Sequence, residues 1–176
     1  MKASSILVTL LASAGLSAAG SLSLPDDSSA NGLYVHEFLN DGTVNTTYIE
    51  SLESITSRSA DSNQFDERGT IPIGTPQVNC KNQYNINLQD LQAAEQGLID
   101  AFGSGMTETQ KAYTWKYNSA VAYVCNYGKS VTITGSFLQS QFTSVQTQCG
   151  LQSGGWVYIK NWAASYGIDQ SSASVC

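Results

Sequence analysis

The sequence has only one histidine, His36, and only two arginines, Arg58 and Arg68. All three lie in the first part of the chain, so residues 69–176 contain no imidazole and no guanidinium group. A protein that works through residues 69–176 alone cannot use a Ser-His-Asp or Cys-His nucleophile, histidine-based ribonuclease chemistry or a histidine-ligated zinc ion. This absence favours a non-enzymatic function.

Positive charge and cofactor motifs are also scarce. Residues 69–176 carry five charges of each sign, so they offer no basic cluster to bind the phosphates of a nucleic acid. The glycine-rich stretches at 103–105 and 153–155 lack a phosphate-loop pattern. The cysteine spacings of 45, 24 and 27 residues contain no CxxC pair. The sequence therefore predicts no nucleic-acid partner, no cofactor and no metal site.

The first 19 residues have the three parts of a secretory signal peptide. Lys2 gives a positive start, and residues 6–16 form an apolar run that is too short to span a bilayer. The small residues that follow this run indicate cleavage after Ala19. Because no second long apolar run follows, we expect a secreted, extracellular protein without a membrane anchor.

Residues 20–68 have the composition of a weakly ordered pro-segment. They hold nine of the fourteen acidic residues and have no cysteine or tryptophan. Arg68 closes this segment just before the Pro- and Gly-rich start of the next one, so we expect processing after Arg68. The alternative is an uncleaved, flexible N-terminal tail.

One part of this acidic segment has strand-forming character. In residues 32–48, two alternating apolar runs flank Asn40-Asp41-Gly42, which predicts a hairpin able to pair with the remaining domain. Asn45, in the sequence Asn45-Thr46-Thr47, is the N-glycosylation acceptor of the chain. A hairpin is a suitable setting for an exposed acceptor.

All four cysteines lie in residues 69–176, the expected mature domain. An even number of cysteines in a small secreted domain predicts two disulfides. Three connectivities are open. Pairing Cys125 with Cys149 and Cys80 with Cys176 is favoured, because the second bond would tie the ends of the domain together.

The mature domain is predicted to be α+β, a small β-sheet with two helices packed on one face in the order β-α-β-β-α-β. Apolar residues at helical spacing predict helices over 88–102 and from 134 or 136 to 149, each ended by a glycine. Strands are expected at 77–84, 112–115, 121–127 and 156–162.

The last of these strands predicts a binding surface. Trp156, Tyr158 and Lys160 alternate with two aliphatic residues. If the aliphatic side packs against the helices, the other side presents aromatic rings to a partner. Trp115 lies in a similar alternation and is expected to extend this surface.

Carboxylates offer the remaining acid–base chemistry. Asp90, Glu95 and Asp100 are spaced at five residues, so neighbours point about 140° apart on a helix and form no cluster. Glu108 and Asp169 fall in segments predicted to be loops. A two-carboxylate hydrolase would require these two side chains to meet in space.

The later part of the chain resembles small secreted fungal proteins. Residues 77–176 combine two helices, a central strand that contains cysteine and a late GGW segment. These features resemble the killer-toxin-like α/β sandwich group and cysteine-stapled effector candidates. The resembling pattern consists of Cys149-Gly150, Gly155-Trp156, Trp162, Tyr166-Gly167 and Cys176. The resemblance implies a structural framework and carries over no catalytic residue.

These observations lead us to expect a secreted, non-enzymatic binding protein, such as a fungal effector or a killer-toxin-like protein acting outside the producing cell. Its partner would be a protein or a glycan of a host or a competitor. One alternative is a cell-wall or glycan-binding module that uses the same aromatic residues. The second alternative is the small two-carboxylate hydrolase.

Overall fold

A computed structural model describes residues 22, 30–49, 75–81, 85–128 and 130–176, except for the side chains at 107 and 108. The predicted signal peptide and the processing positions Ala19 and Arg68 lie outside the described residues. The elements are β1 (Gly32–Phe38), β2 (Val44–Ile49), β3 (Gln77–Cys80), α1 (Leu88–Phe102), β4 (Met106–Glu108), β5 (Lys111–Tyr117), β6 (Ala120–Asn126), β7 (Val131–Ile133), α2 (Gly135–Cys149), β8 (Gly155–Ile159) and β9 (Ala164–Gln170).

Seven of these strands form one sheet in the order β2-β1-β5-β6-β9-β8-β3, with every neighbouring pair antiparallel. The short strands β4 and β7 pair with each other in a second sheet. The predicted α+β class with two helices and two disulfides is confirmed. The sheet is larger than predicted, and the order of elements is longer than β-α-β-β-α-β.

The ends of both helices are set by capping residues. The Asn87 side chain accepts hydrogen bonds from the amides of Gln89 (2.9 Å) and Asp90 (3.2 Å), and it thereby starts α1. Thr134 caps α2 by accepting from the Phe137 amide at 3.1 Å. A glycine forms the C-terminal cap of each helix. The predicted bounds of both helices are confirmed to within a residue.

Both helices pack on the same face of the sheet. Leu91 and Leu98 of α1 and Phe142 of α2 are buried in one core with Val157 and Tyr166 of the sheet. These positions follow the helical and strand spacing that the sequence shows. The opposite face, which we call the helix-free face, therefore remains for other segments of the chain.

The N-terminal hairpin is part of the main sheet. β1 lies between β2 and β5, and Leu33 and Tyr34 of β1 are buried. Leu22 forms a β-bridge with Val175 through two backbone hydrogen bonds of 2.9 and 2.8 Å. The folded unit thus extends to both sides of the expected boundary at Arg68. Removal of residues 20–68 remains a prediction.

The favoured disulfide connectivity is wrong. The structure joins Cys80 to Cys149 and Cys125 to Cys176. Cys125 lies on the helix-free face, whereas Cys149 lies at the end of α2 and packs against the core under the helices. The sheet itself separates the two side chains, so they cannot bond to each other.

Candidate functional site

The helix-free face is covered at its centre and open towards one side. Leu22 and Val175 pack over Val121 and Tyr123 there, and the Cys125–Cys176 disulfide fixes the last residues to the sheet. Tyr123 lies across Gly167, where a Cβ atom would come within 2.4 Å of the phenol oxygen. This cover leaves aromatic side chains only partly buried beside it.

Three partly exposed aromatic residues, Phe38, Tyr127 and Trp156, pack against the covered centre. Tyr158 is also partly exposed and lies two residues after Trp156 on the same face of β8. We call these four residues the aromatic platform. The rings of Phe38 and Tyr127 have centroids 5.5 Å apart. The Tyr127 hydroxyl donates to the main-chain oxygen of Cys176. Burial raises the pKa of Tyr127 to about 12, in opposition to its hydrogen bond with Ser165. The phenol therefore stays protonated at physiological pH and keeps the proton that it donates to Cys176.

Amide side chains lie next to Trp156 and Tyr158, the two aromatic residues that the sequence analysis predicted to form a binding surface. In the register of β3 and β8, Gln77 lies opposite Tyr158 and Asn79 lies opposite Trp156. Side chains that are directly opposite each other in an antiparallel pair share one face of the sheet. The platform thus ends in a pair of amides at the edge strand β3.

The structure brings together only part of the predicted surface. Trp156 and Tyr158 lie on the helix-free face as predicted, and the exposed Lys160 follows them in the turn after β8. Trp115 does not extend this surface. Its indole packs under α1, where a Cβ atom on Gly97 would lie 2.1 Å from it. Pairing with β1 and β6 places the side chain of Trp115 on the helix side of β5.

Sequence reasoning missed two members of the platform, Phe38 and Tyr127. Phe38 was assigned to the pro-segment, outside the mature domain. Tyr127 lies two residues after Cys125, so strand parity would have placed the two side chains on one face. Strand parity could predict the position of Tyr127 only if the face of the sheet on which Cys125 lies were already known.

Glu108 and Asp169, the two residues of the hydrolase alternative, lie in strands β4 and β9 and not in loops as predicted. Asp169 is fully buried on the helix-free face, opposite Val121 at one end of β6. Glu108 belongs to β4 and lies three residues before Lys111, which pairs with the opposite end of β6. The two ends of β6 are about 17 Å apart at the rise of an antiparallel strand.

Asp169 holds the C-terminal segment in place. It forms an ion pair with Lys81, and its Oδ1 accepts from the Gln170 amide at 2.8 Å. The same lysine donates to the Ser174 carbonyl at 3.1 Å. A buried carboxylate needs a paired cation, and Lys81 provides it. Since Lys81 follows β3 and contacts both Asp169 of β9 and Ser174, it couples these two strands to the chain that covers the helix-free face.

His36 is a buried, neutral link between three strands. Its Nδ1 lies 2.9 Å from Thr46 Oγ1 on β2, and its Nε2 lies 3.0 Å from Thr114 Oγ1 on β5. Burial lowers the pKa of His36 to about 4. The imidazole has both nitrogens occupied and is inaccessible to substrate, so these contacts indicate a structural role.

A groove of about 320 Å³ lies between the two helices. It is lined mainly by amide side chains and contains one partly buried carboxyl group, Glu95. Gln146 donates to Glu95 Oε1 at 2.7 Å. Burial raises the pKa of Glu95 to about 7, although the bond from Gln146 acts in the opposite direction.

Replacing Glu95 with Gln should stabilise the protein at high pH. The raised pKa of Glu95 means that the fold favours the protonated carboxyl, so this contribution is complete below pH 4.5 and is lost as the pH rises through 7. At pH 8 the E95Q variant should have a free energy of unfolding higher by about 2 kcal/mol, after allowance for solvent screening. At pH 4.5 the two proteins should be similar. His36 contributes equally to both and cancels in the difference.

Urea denaturation at the two pH values checks this prediction. Asp100→Asn, which removes an exposed charge from the same helix, is the matched control. A difference between E95Q and the wild type that does not change with pH would contradict the assignment.

The described residues contain no group of three or more His, Cys, Asp or Glu side chains that could hold a metal ion. Neither helix in the described part of the chain is long and apolar enough to cross a membrane. Two disulfides are compatible with an extracellular protein. Comparison of the chain with protein-family models, curated proteins and solved structures found no match.

Proposed function

We propose that the protein is a secreted, non-enzymatic binding protein, a fungal effector or killer-toxin-like protein that acts outside the producing cell through the aromatic platform. The observation that carries this proposal is the grouping of four partly exposed aromatic side chains on one face of the sheet. Aromatic residues supply a large part of the binding energy in protein interfaces, since they bury much area with few rotatable bonds.

The platform is also rigid before any partner arrives. Trp156 and Tyr158 belong to β8, which is paired on both sides by β3 and β9. Tyr127 is held by its bond to Cys176, which the disulfide to Cys125 fixes in turn. A preorganised surface loses less conformational entropy on binding, so a larger part of the contact energy appears as affinity.

Replacing both Trp156 and Tyr158 with Ala should weaken binding by about 100-fold or more, because two central aromatic contacts are each worth about 2 kcal/mol. The measurement is saturation binding of the labelled protein to intact host or competitor cells. Tyr117→Ala, which removes an exposed tyrosine from β5, is the matched control and should bind like the wild type. Unchanged binding by a folded double variant would contradict the proposal.

A glycan partner is the second candidate, and the amides of Gln77 and Asn79 favour it. Each of them stands opposite an aromatic residue of the platform. An aromatic face beside amide donors and acceptors suits a sugar ring, which has an apolar face and a rim of hydroxyl groups. Retention on chitin or β-glucan, competed by the soluble oligosaccharide and lost in Asn79→Ala, would identify this case. Retention on cells without retention on either polysaccharide would favour a protein partner.

A further inference from the structure

The outer edge of the main sheet is formed by β2, and its free backbone groups can be identified. The Leu39 amide donates to the Thr43 carbonyl at 2.9 Å, so this pair is hydrogen-bonded at the start of the hairpin. In an antiparallel ladder, hydrogen-bonded pairs alternate with pairs whose backbone groups point away from each other. Asn45 and Thr47 therefore bond to β1.

The residues of β2 that alternate with Asn45 and Thr47 direct their N–H and C=O groups away from β1. These residues are Val44, Thr46 and Tyr48. The same alternation turns Phe38 of β1 towards β5, and its amide does bond to the Gln110 carbonyl at 3.2 Å. Among the described residues, no strand pairs with the outer side of β2.

This edge lacks the usual protection against further pairing. Sheet edges are commonly blocked by charged side chains, by proline or by a bulge. β2 contains no charged residue and no proline, and almost all of it is exposed. Val44 and Tyr48 are each 37% exposed and lie on the helix-free face, where Tyr48 stacks beside Tyr34 at 4.9 Å.

We infer that β2 is an interaction edge for a second copy of this chain, and that a glycan on Asn45 controls its use. The sequence of β2 is self-complementary about Thr46. An antiparallel pair centred there places Thr46 opposite Thr46 of the second copy, and Val44 opposite its Tyr48. Those are the residues with outward backbone groups, and an aromatic residue opposite a β-branched one is a favourable cross-strand pair.

Asn45 is placed to prevent this pairing when it carries a glycan, and this step rests on the predicted glycosylation. Its side chain is exposed on β2. In the paired register, Asn45 stands opposite Thr47 of the second copy, with Cβ atoms about 5 Å apart. Two branched glycans at this junction would crowd the opposing strand and keep the copies apart.

The test compares the molar mass of the secreted glycoprotein with that of Asn45→Gln, measured by light scattering at about 100 µM, a concentration at which micromolar association would be evident. We expect one chain per particle for the glycoprotein and two for N45Q. Adding Val44→Pro should weaken association by about 30-fold, since it removes two intermolecular hydrogen bonds and no bond to β1. Val44→Thr, which keeps the amide, is the matched control.

Amide hydrogen exchange locates the contact even where a variant folds poorly. In N45Q, the amides of Val44, Thr46 and Tyr48 should gain protection as the protein concentration rises. The amides at 45 and 47 already bond to β1 and should not change. Monomeric N45Q, or a dimer that Val44→Pro leaves intact, would overturn the inference. A dimeric glycoprotein that protects the same three amides would overturn the role of the glycan.

Discussion

A chain that begins at Gly69 is expected to lose most of its stability relative to one that begins at Gly20. The shorter chain lacks β1, so the buried Leu33 and Tyr34 are lost and β5 becomes an edge strand. It also lacks Leu22, which packs on Val121 and Tyr123. Three buried apolar side chains correspond to about 5 kcal/mol or more, which approaches the whole stability of a typical domain.

Urea denaturation of the two chains measures this difference. A third sample, the longer chain cut after Arg68, separates covalent from non-covalent effects. If β-pairing holds the hairpin, the cut protein should remain more stable than the chain that begins at Gly69. Equal stability of the long and short chains would show that residues 20–68 are dispensable for the fold.

Replacing Cys125 and Cys176 with Ala is expected to cost about 4 kcal/mol of unfolding free energy, the chain-entropy value for a closed loop of roughly 50 residues. The change should also abolish partner binding. Without the disulfide, the last residues are free to leave the helix-free face, and Tyr127 then loses its acceptor at Cys176.

The matched control is the double Ala variant of Cys80 and Cys149, which opens a loop of similar length on the other side of the sheet. Its unfolding free energy should fall by a similar amount, about 4 kcal/mol, while binding by the folded fraction remains. Equal loss of binding in both variants would show that the disulfide near the platform has no specific role. Urea denaturation and the cell-binding assay provide the two readouts.

The helices and the face of β8 were predictable because local signals define them. Asn87 and Thr134 cap the helices by contacts within three residues, and glycine ends each one. The alternation around Trp156 and Tyr158 depends only on strand parity. Such signals need no knowledge of the rest of the fold.

The remaining features depend on contacts between distant residues. β9 was missed because the predicted strand over 156–162 ends in a turn at 160–163, and the polar residues Ser165 and Asp169 interrupt the apolar pattern of ASYGIDQ. Ser165 and Asp169 are buried because the C-terminal segment of the chain covers the helix-free face. The disulfide pairs likewise depend on which face each cysteine occupies, and sequence spacing does not carry that information.

The hairpin and its pairing with the rest of the domain were predicted and are confirmed, but the strand with which it pairs was not predictable, for the same reason. The acidic composition of residues 20–68 suggested weak order. However, few acidic residues lie in β1 itself, and its residues pair in register with those of β5. The partner strand lies far away in the sequence. Only the pairing with β5 shows that His36 and Phe38 belong to the same sheet as Trp156 and Tyr158.

The most direct measurement is native mass spectrometry of the naturally secreted protein, without reduction, together with its N-terminal sequence. Residues 32–49 should be present in the working molecule, either in one chain that begins near Gly20 or as a cut piece that remains bound to residues 69–176. Both forms should contain two disulfides. Recovery of residues 69–176 alone, still able to bind cells through Trp156 and Tyr158, would contradict the conclusion that the hairpin belongs to the functional fold.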